Sequence, residues 1–258
     1  MHRKWPVVAL LLSIVFPLSA HALGDCPYDA REVAVQRSDL AALKTSMKAV
    51  IAAIGKPPAP YALSHEEWNL PSFACEDAHG AVPSFVGYQA DLSADAGQQK
   101  VQADYQKKIM AAQAAGNYDL MVKLSQEMQQ QIVKASVLAQ TDTPISMEFR
   151  ANETASMTVD PDAVVRDGTG FIALKATQGG ADSGQEQVTF YFDKQALKEA
   201  HTLASFELGG DRRAPDKLGL ISMRIRISGP TAIVEAMARK LDAGAVLAHL
   251  SAARVVGN

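Results

Sequence analysis

The sequence predicts an α+β fold: an antiparallel β-sheet packed with terminal helices, plus a long antiparallel helical hairpin. Three observations carry this. Ile145, Met147, Phe149 and Ala151 alternate with Ser146, Glu148, Arg150 and Asn152, and Ile221, Met223, Ile225 and Ile227 alternate with Ser222, Arg224, Arg226 and Ser228. A period of two is that of a strand with one wet face. Leu40, Leu43, Met47, Val50, Ile51 and Ile54, by contrast, step by threes and fours, as do Val101, Tyr105, Ile109 and Ala112 and then Tyr118, Met121, Leu124, Met128, Ile132, Ala135 and Leu138. That is the period of an amphipathic helix. The change from helical to alternating pattern is abrupt and falls after Thr143.

Four segments follow in order: 1–22, 23–96, 97–142 and 143–258. The first has the three parts of a secretory signal peptide. His2, Arg3 and Lys4 form a basic start, Val7 to Leu18 an apolar run, and Ala20-His21-Ala22 a small-residue cleavage site. The run is about 12 residues, short of the roughly 20 that a spanning helix needs. Cys26 follows closely, but Asp25 stands where a lipid-attachment motif requires a small residue. The expectation is therefore cleavage near Ala22 and release of a soluble chain into the periplasm or beyond. No later run approaches spanning length, so no transmembrane segment is expected in the mature chain.

In 23–96 the start is irregular. Ser38 reads as the N-cap of a helix that Gly55 ends and Pro57, Pro58 and Pro60 keep from continuing. Residues 61–95 place Trp68, Phe73, Phe85 and Tyr88 among prolines and glycines and read as loop-rich. In 97–142 Gly116 supplies a left-handed C-cap and Asn117 a new N-cap, which makes two helices into a hairpin. In 143–258 short strands are expected around 156–159, 171–176 and 188–192, with a flexible loop over 178–185. Pro230 opens a helix carrying Ile233, Val234, Met237 and Leu241, and Asp242 caps a last short one.

Cys26 and Cys75 are the only cysteines. An even pair in an oxidising compartment predicts one disulfide. The formal charge is −3, and removal of the first 22 residues takes it to −5, with no basic stripe. Such a chain is not expected to bind nucleic acid.

Catalytic motifs do not appear. His65-Glu66-Glu67 begins a zinc-protease helix motif, but Asn69 stands in place of its second histidine. Ser183 is one place off the centre of a nucleophile elbow, and Gly168-Thr169-Gly170 is too short for a dinucleotide fingerprint. The methionines fall on buried stripes, which suits core gap-filling rather than copper. No cofactor or metal is expected. Three side chains stand out as possible ligand or partner contacts: Arg224 and Arg226 on one strand face, and His79 beside Cys75, Glu76 and Asp77. The expected role is a non-catalytic binding protein of the cell envelope, with the hairpin as contact arm and an envelope protein as partner. The alternatives are a carrier of a small apolar ligand, lined by Phe149, Phe190 or Phe192 and Ile225, and a hydrolase using the 61–95 segment.

Overall fold

The computed structural model describes residues 26–27, 29–139, 143–178 and 184–255. The predicted signal segment 1–22, its cleavage site at Ala22, and most of the 178–185 loop lie outside the described residues.

The chain is mixed α+β, with antiparallel sheets and several helices. In order, it forms β1 (Arg31–Ala34), α1 (Arg37–Ala52), β2 (Ala62–Asn69), β3 (Phe73–Asp77), β4 (Gly80–Val82), β5 (Val86–Ser93), α2 (Ala94–Ala114) and α3 (Tyr118–Ala139). Then come β6 (Ile145–Ala151), β7 (Ala155–Thr158), β8 (Val164–Gly168), β9 (Phe171–Gln178), β10 (Gln185–Asp193), β11 (Ser205–Leu208) and β12 (Arg212–Arg213). Last are β13 (Ser222–Pro230), α4 (Thr231–Lys240), α5 (Ala243–Ala248) and β14 (Arg254–Val255).

A seven-stranded sheet in the order β2-β5-β6-β13-β10-β9-β8 is the frame. Its inner face carries the alternating apolar positions: Ile145, Phe149, Phe190, Phe192, Met223, Ile225 and Ile227 are all fully buried. Three helices close this face. Leu43, Met47 and Val50 of α1, Val234 and Met237 of α4 and Val246 of α5 complete one core with it. Burying that continuous apolar layer supplies most of the drive to fold. On the opposite face, at the β9–β10 end, Ile172 and Tyr191 pack with Phe206 and Leu208 of the small β7–β11 sheet.

Residues 61–95, which read as loop-rich, fold into four strands. The sequence-based N-cap also shifts: Gln36, not Ser38, caps α1, and its amide donates to Asp39 Oδ2 at 2.9 Å. Asp242 does cap α5, accepting from the Ala245 amide at 3.0 Å. Cys26 and Cys75 form the disulfide, which ties the start of the described chain to β3 in the three-stranded sheet β1-β3-β4.

Helices α2 and α3 are inserted between two neighbouring strands. Leu92 of β5 pairs directly with Ile145 of β6, so the chain leaves the sheet and returns to the same point. Ser93 caps α2 by accepting from the Ala96 amide at 3.1 Å. Gly97 lies against the Pro60 carbonyl, and a Cβ there would sit 1.3 Å from that oxygen. Gly97→Ala is therefore expected to cost about 3 kcal/mol, because backbone must shift to admit the methyl. Urea unfolding checks this, and an unchanged midpoint would contradict the close packing.

Candidate interaction surface

Four features compete as a functional site: the charged outer face of the sheet, the Glu76–His79 corner, an apolar cleft, and the α2–α3 pair.

On the outer face, Arg150, Arg224, Arg226, Glu148 and Glu153 close on one another. The β6–β13 register sets Arg224 opposite Arg150 and Arg226 opposite Glu148. Two like charges face to face repel, and the two glutamates bridge them. Arg224 Nη2 lies 3.0 Å from Glu153 Oε2, Arg226 Nη1 lies 3.3 Å from Glu148 Oε2, and Arg150 Nη1 lies 2.9 Å from Glu153 Oε1. Arg150 also bonds Glu148. Burial pulls the Arg224 guanidinium down from its ordinary value, while Glu153 and Glu148 work to hold it up. Arg224 and Arg226 are thus engaged within the sheet. Beside them is a shallow polar recess of about 220 Å³ lined by Gln89, Ser146, Gln187 and Ser228.

His79 is exposed in the β3–β4 turn. Its neighbours are committed elsewhere. Asp77 accepts from the His79 and Gly80 amides at 2.8 and 3.0 Å and from Arg213 Nε, and Glu76 lies 3.5 Å from Arg31. Among the described residues no group of three or more His, Cys, Asp or Glu side chains is arranged to hold a metal ion. Burial works to raise the Asp77 carboxyl, but the hydrogen bonds from Arg213 and the two amides outweigh it and hold the group below its ordinary value. Asp39 is also lowered, by the Gln36 amide first and by Lys217, against an opposing effect of burial.

These two shifts fix the sign of an acid effect. A carboxyl lowered in the folded state stabilises the fold fully above its unfolded value, near 3.8. That contribution is lost as pH falls through the lower folded value. Asp77→Asn is therefore expected to reduce the melting temperature at neutral pH. The gap to the unaltered chain should shrink as pH falls through the lowered folded value, below which both states are protonated. A gap that stays the same throughout an acid titration would contradict the assignment.

The aromatic side chains of the middle strands are structural. Trp68 and Tyr88 lie 4.5 Å apart between ring centroids, and Tyr88 meets Phe149 edge-on at 5.5 Å. Burial, and then the neighbouring Glu66, push the Tyr88 hydroxyl up to about 12, so it stays a donor to Glu66 Oε2 at 3.2 Å. Phe149, Phe190, Phe192 and Ile225, the residues expected to line a carrier pocket, are packed in the core. A separate apolar cleft of about 440 Å³ opens at the root of α2. Ile54, Tyr61, Leu63, Leu92, Val101 and Met237 line it.

Among the described residues, most of the exposed large apolar side chains lie on the α2–α3 pair. Helix α3 packs chiefly on α2. Met121, Leu124, Met128 and Ile132 of α3 and Val101, Tyr105 and Ile109 of α2 are only half-buried. Ala112 is the one fully buried side chain described beyond the root. Eight large apolar side chains are exposed among the described residues, and five of them are here: Met110, Tyr118, Leu120, Val122 and Val133, each 42–69% exposed. Scattered single apolar residues on a surface are ordinary, whereas clustered ones mark a contact surface. The sequence pattern located both helices. It did not reveal that their apolar seam stays half open.

No protein-family model, curated protein or solved structure matches this chain. Among the described residues no helix is long and apolar enough to cross a membrane.

Proposed function

We propose that this is an exported, non-catalytic binding protein of the cell envelope, and that α2 and α3 form a long antiparallel hairpin serving as its contact arm. One observation carries the reading: among the described residues, five of the eight exposed large apolar side chains lie on this one excursion. The excursion begins and ends between strands that already pair, so the sheet does not need it for continuity. Each helix is about 32 Å long at 1.5 Å per residue, enough to reach well beyond the sheet edge. The disulfide and the signal-like first 22 residues support export.

The test is the size of the native particle. In an envelope extract the chain should migrate as a particle larger than one mature chain. Val122→Lys with Val133→Lys should return it to the free size without lowering its melting temperature. Migration of the unaltered chain as a free monomer, or survival of the larger particle in the doubly charged variant, would overturn the reading.

A second reading, a carrier for a small apolar ligand, is favoured by the cleft at the arm's root. Native mass spectrometry of gently purified protein checks it. An added lipid mass would support the carrier, and its absence would count against it.

A further inference from the structure

The main core is open at one place. Leu63 of β2 pairs directly with Leu92 of β5, so both side chains leave the sheet on its inner side. Leu92 is 3% exposed and Leu63 is 49% exposed. Between them lies the apolar cleft at the root of α2, about 440 Å³ in volume. Its floor belongs to the core: Ile54, Tyr61, Leu92, Met147 and Met237 line it and are themselves buried. Protein interiors otherwise hold few voids larger than a water molecule. A cleft of this size falls within the range of ligand pockets, roughly 300–1,000 Å³. Near the small end of that range, it suits one acyl chain rather than two.

The cleft leads into a polar depression of about 560 Å³, with which it shares Leu63 and Lys100. Ser64, Ser93, Asp95 and Gln99 also line this depression. A bulge in the β2–β5 pairing falls at the junction. Ser64 is its extra residue, and the Ser64 hydroxyl donates to the Asp91 carbonyl at 2.9 Å. Bulges re-aim side chains where they interrupt a ladder. Leu63 lines both spaces, and Ser64 only the polar one.

The charges here are few and complementary to a head of both signs. Lys100 is the one charged side chain lining the cleft, and it stands where cleft and depression meet. Asp95 is the other charged side chain lining the depression. Both are exposed, and among the described residues no salt bridge engages either. They are five residues apart on α2, about 7.5 Å along its axis. Two side chains of that spacing can close on a phosphate and an amine joined by a short linker. A lone oxyanion would be repelled by Asp95 as it met Lys100, whereas a zwitterion meets each charge with its opposite.

We infer that cleft and depression together bind a single-chain zwitterionic phospholipid. Its acyl chain lies in the cleft, its phosphate on Lys100 and its ammonium on Asp95. The inference rests on the carrier reading and names the ligand.

Calorimetric titration of the mature chain with lauroyl lysophosphatidylethanolamine, kept below the concentration at which it forms micelles, tests it. One molecule should bind per chain, and a chain shorter by two methylenes should bind about tenfold more weakly. Leu63→Asp should abolish binding. Lys100→Glu should weaken it about fivefold at low salt, and Asp95→Asn about threefold. All three side chains are exposed, so the melting temperatures should stay as they are. Dodecanol and dodecanoate, which carry the same chain, separate the parts. Lys100→Glu should leave dodecanol binding unchanged, and Asp95→Asn should not weaken dodecanoate. Leu63→Asp without effect, or dodecanol bound as tightly as the lysophospholipid, would overturn the inference and leave the carrier reading standing. Binding of none of the three probes, with no lipid mass on the gently purified protein, would remove both.

Discussion

Asp193→Ala is expected to lower the unfolding free energy by about 3–5 kcal/mol, the cost of stranding one member of a buried ion pair. Asp193 is 1% exposed at the end of β10. Its two oxygens meet Arg212 in a fork, Oδ1 to Nη1 at 2.8 Å and Oδ2 to Nη2 at 2.7 Å. Oδ1 also accepts from the Gln195 and Ala196 amides at 2.9 and 2.8 Å, and Arg212 Nε donates to the Gly209 carbonyl at 2.6 Å. Removing the carboxylate leaves a guanidinium out of water with both Nη groups deprived of their partner, and frees two amides besides. Replacing both partners by apolar residues of similar size removes the stranded charge. Asp193→Leu with Arg212→Met should therefore recover much of the loss. Urea unfolding of both variants checks this. A single variant within about 1 kcal/mol of the unaltered chain would mean that the pair is hydrated rather than buried.

Replacing Cys26 and Cys75 together by serine is expected to cost about 4 kcal/mol. The bond closes a loop with a sequence separation of 49, and the chain-entropy relation gives that value for such a loop. The loss comes mainly from freeing the unfolded chain, so the folded core around α1 should be little changed. Reductant should therefore reproduce the double substitution, and should have no further effect on it. A loss under about 1 kcal/mol would mean that the first strands are ordered without the bond.

Local periodicity carried much of the fold. The parity of Ile145 to Ala151 and of Met223 to Ile227 identified the inner face of the sheet, because side chains on a strand alternate whatever the strand pairs with. Ile221, expected on the same face, lies before β13 and packs apart, with Ala81, Ala214 and Ala253. The three-four spacing of Leu43, Met47, Val50 and Ile54 identified the buried side of α1 for the same reason. What local pattern cannot carry is pairing between distant segments. The central sheet joins β5 to β6 across the whole helical excursion, so the break in composition at Thr143 is no break in the sheet. β2 escaped notice because it is an edge strand with most of its side chains exposed, and Ser64-His65-Glu66-Glu67 shows no alternation.

The polar contacts were hidden for the same reason. Arg212 and Arg213 follow Gly209-Gly210-Asp211 in the sequence, and no local pattern marks the acids they pair with; their partners are Asp193 and Asp77, 19 and 136 residues away. Asn152 reads as one more outward residue of a strand. It takes a left-handed φ of 59°. Its side chain bonds the Ser84 and Gly219 carbonyls at 2.9 and 3.0 Å and the Ile221 amide at 2.9 Å, tying three segments together. The α2–α3 pair was the reverse case. Its helices were plain from spacing, and its uncovered seam emerged only once the neighbours were in place.

The proposed contact role of α2 and α3 is tested most directly by a photo-activated cross-linking residue placed, in living cells, at Val122 or Val133 on α3 and at Phe85 beside the sheet. All three positions are exposed. Adducts of defined mass from Val122 and Val133 and none from Phe85 are predicted. Adducts from Phe85 with none from the α3 positions would contradict it.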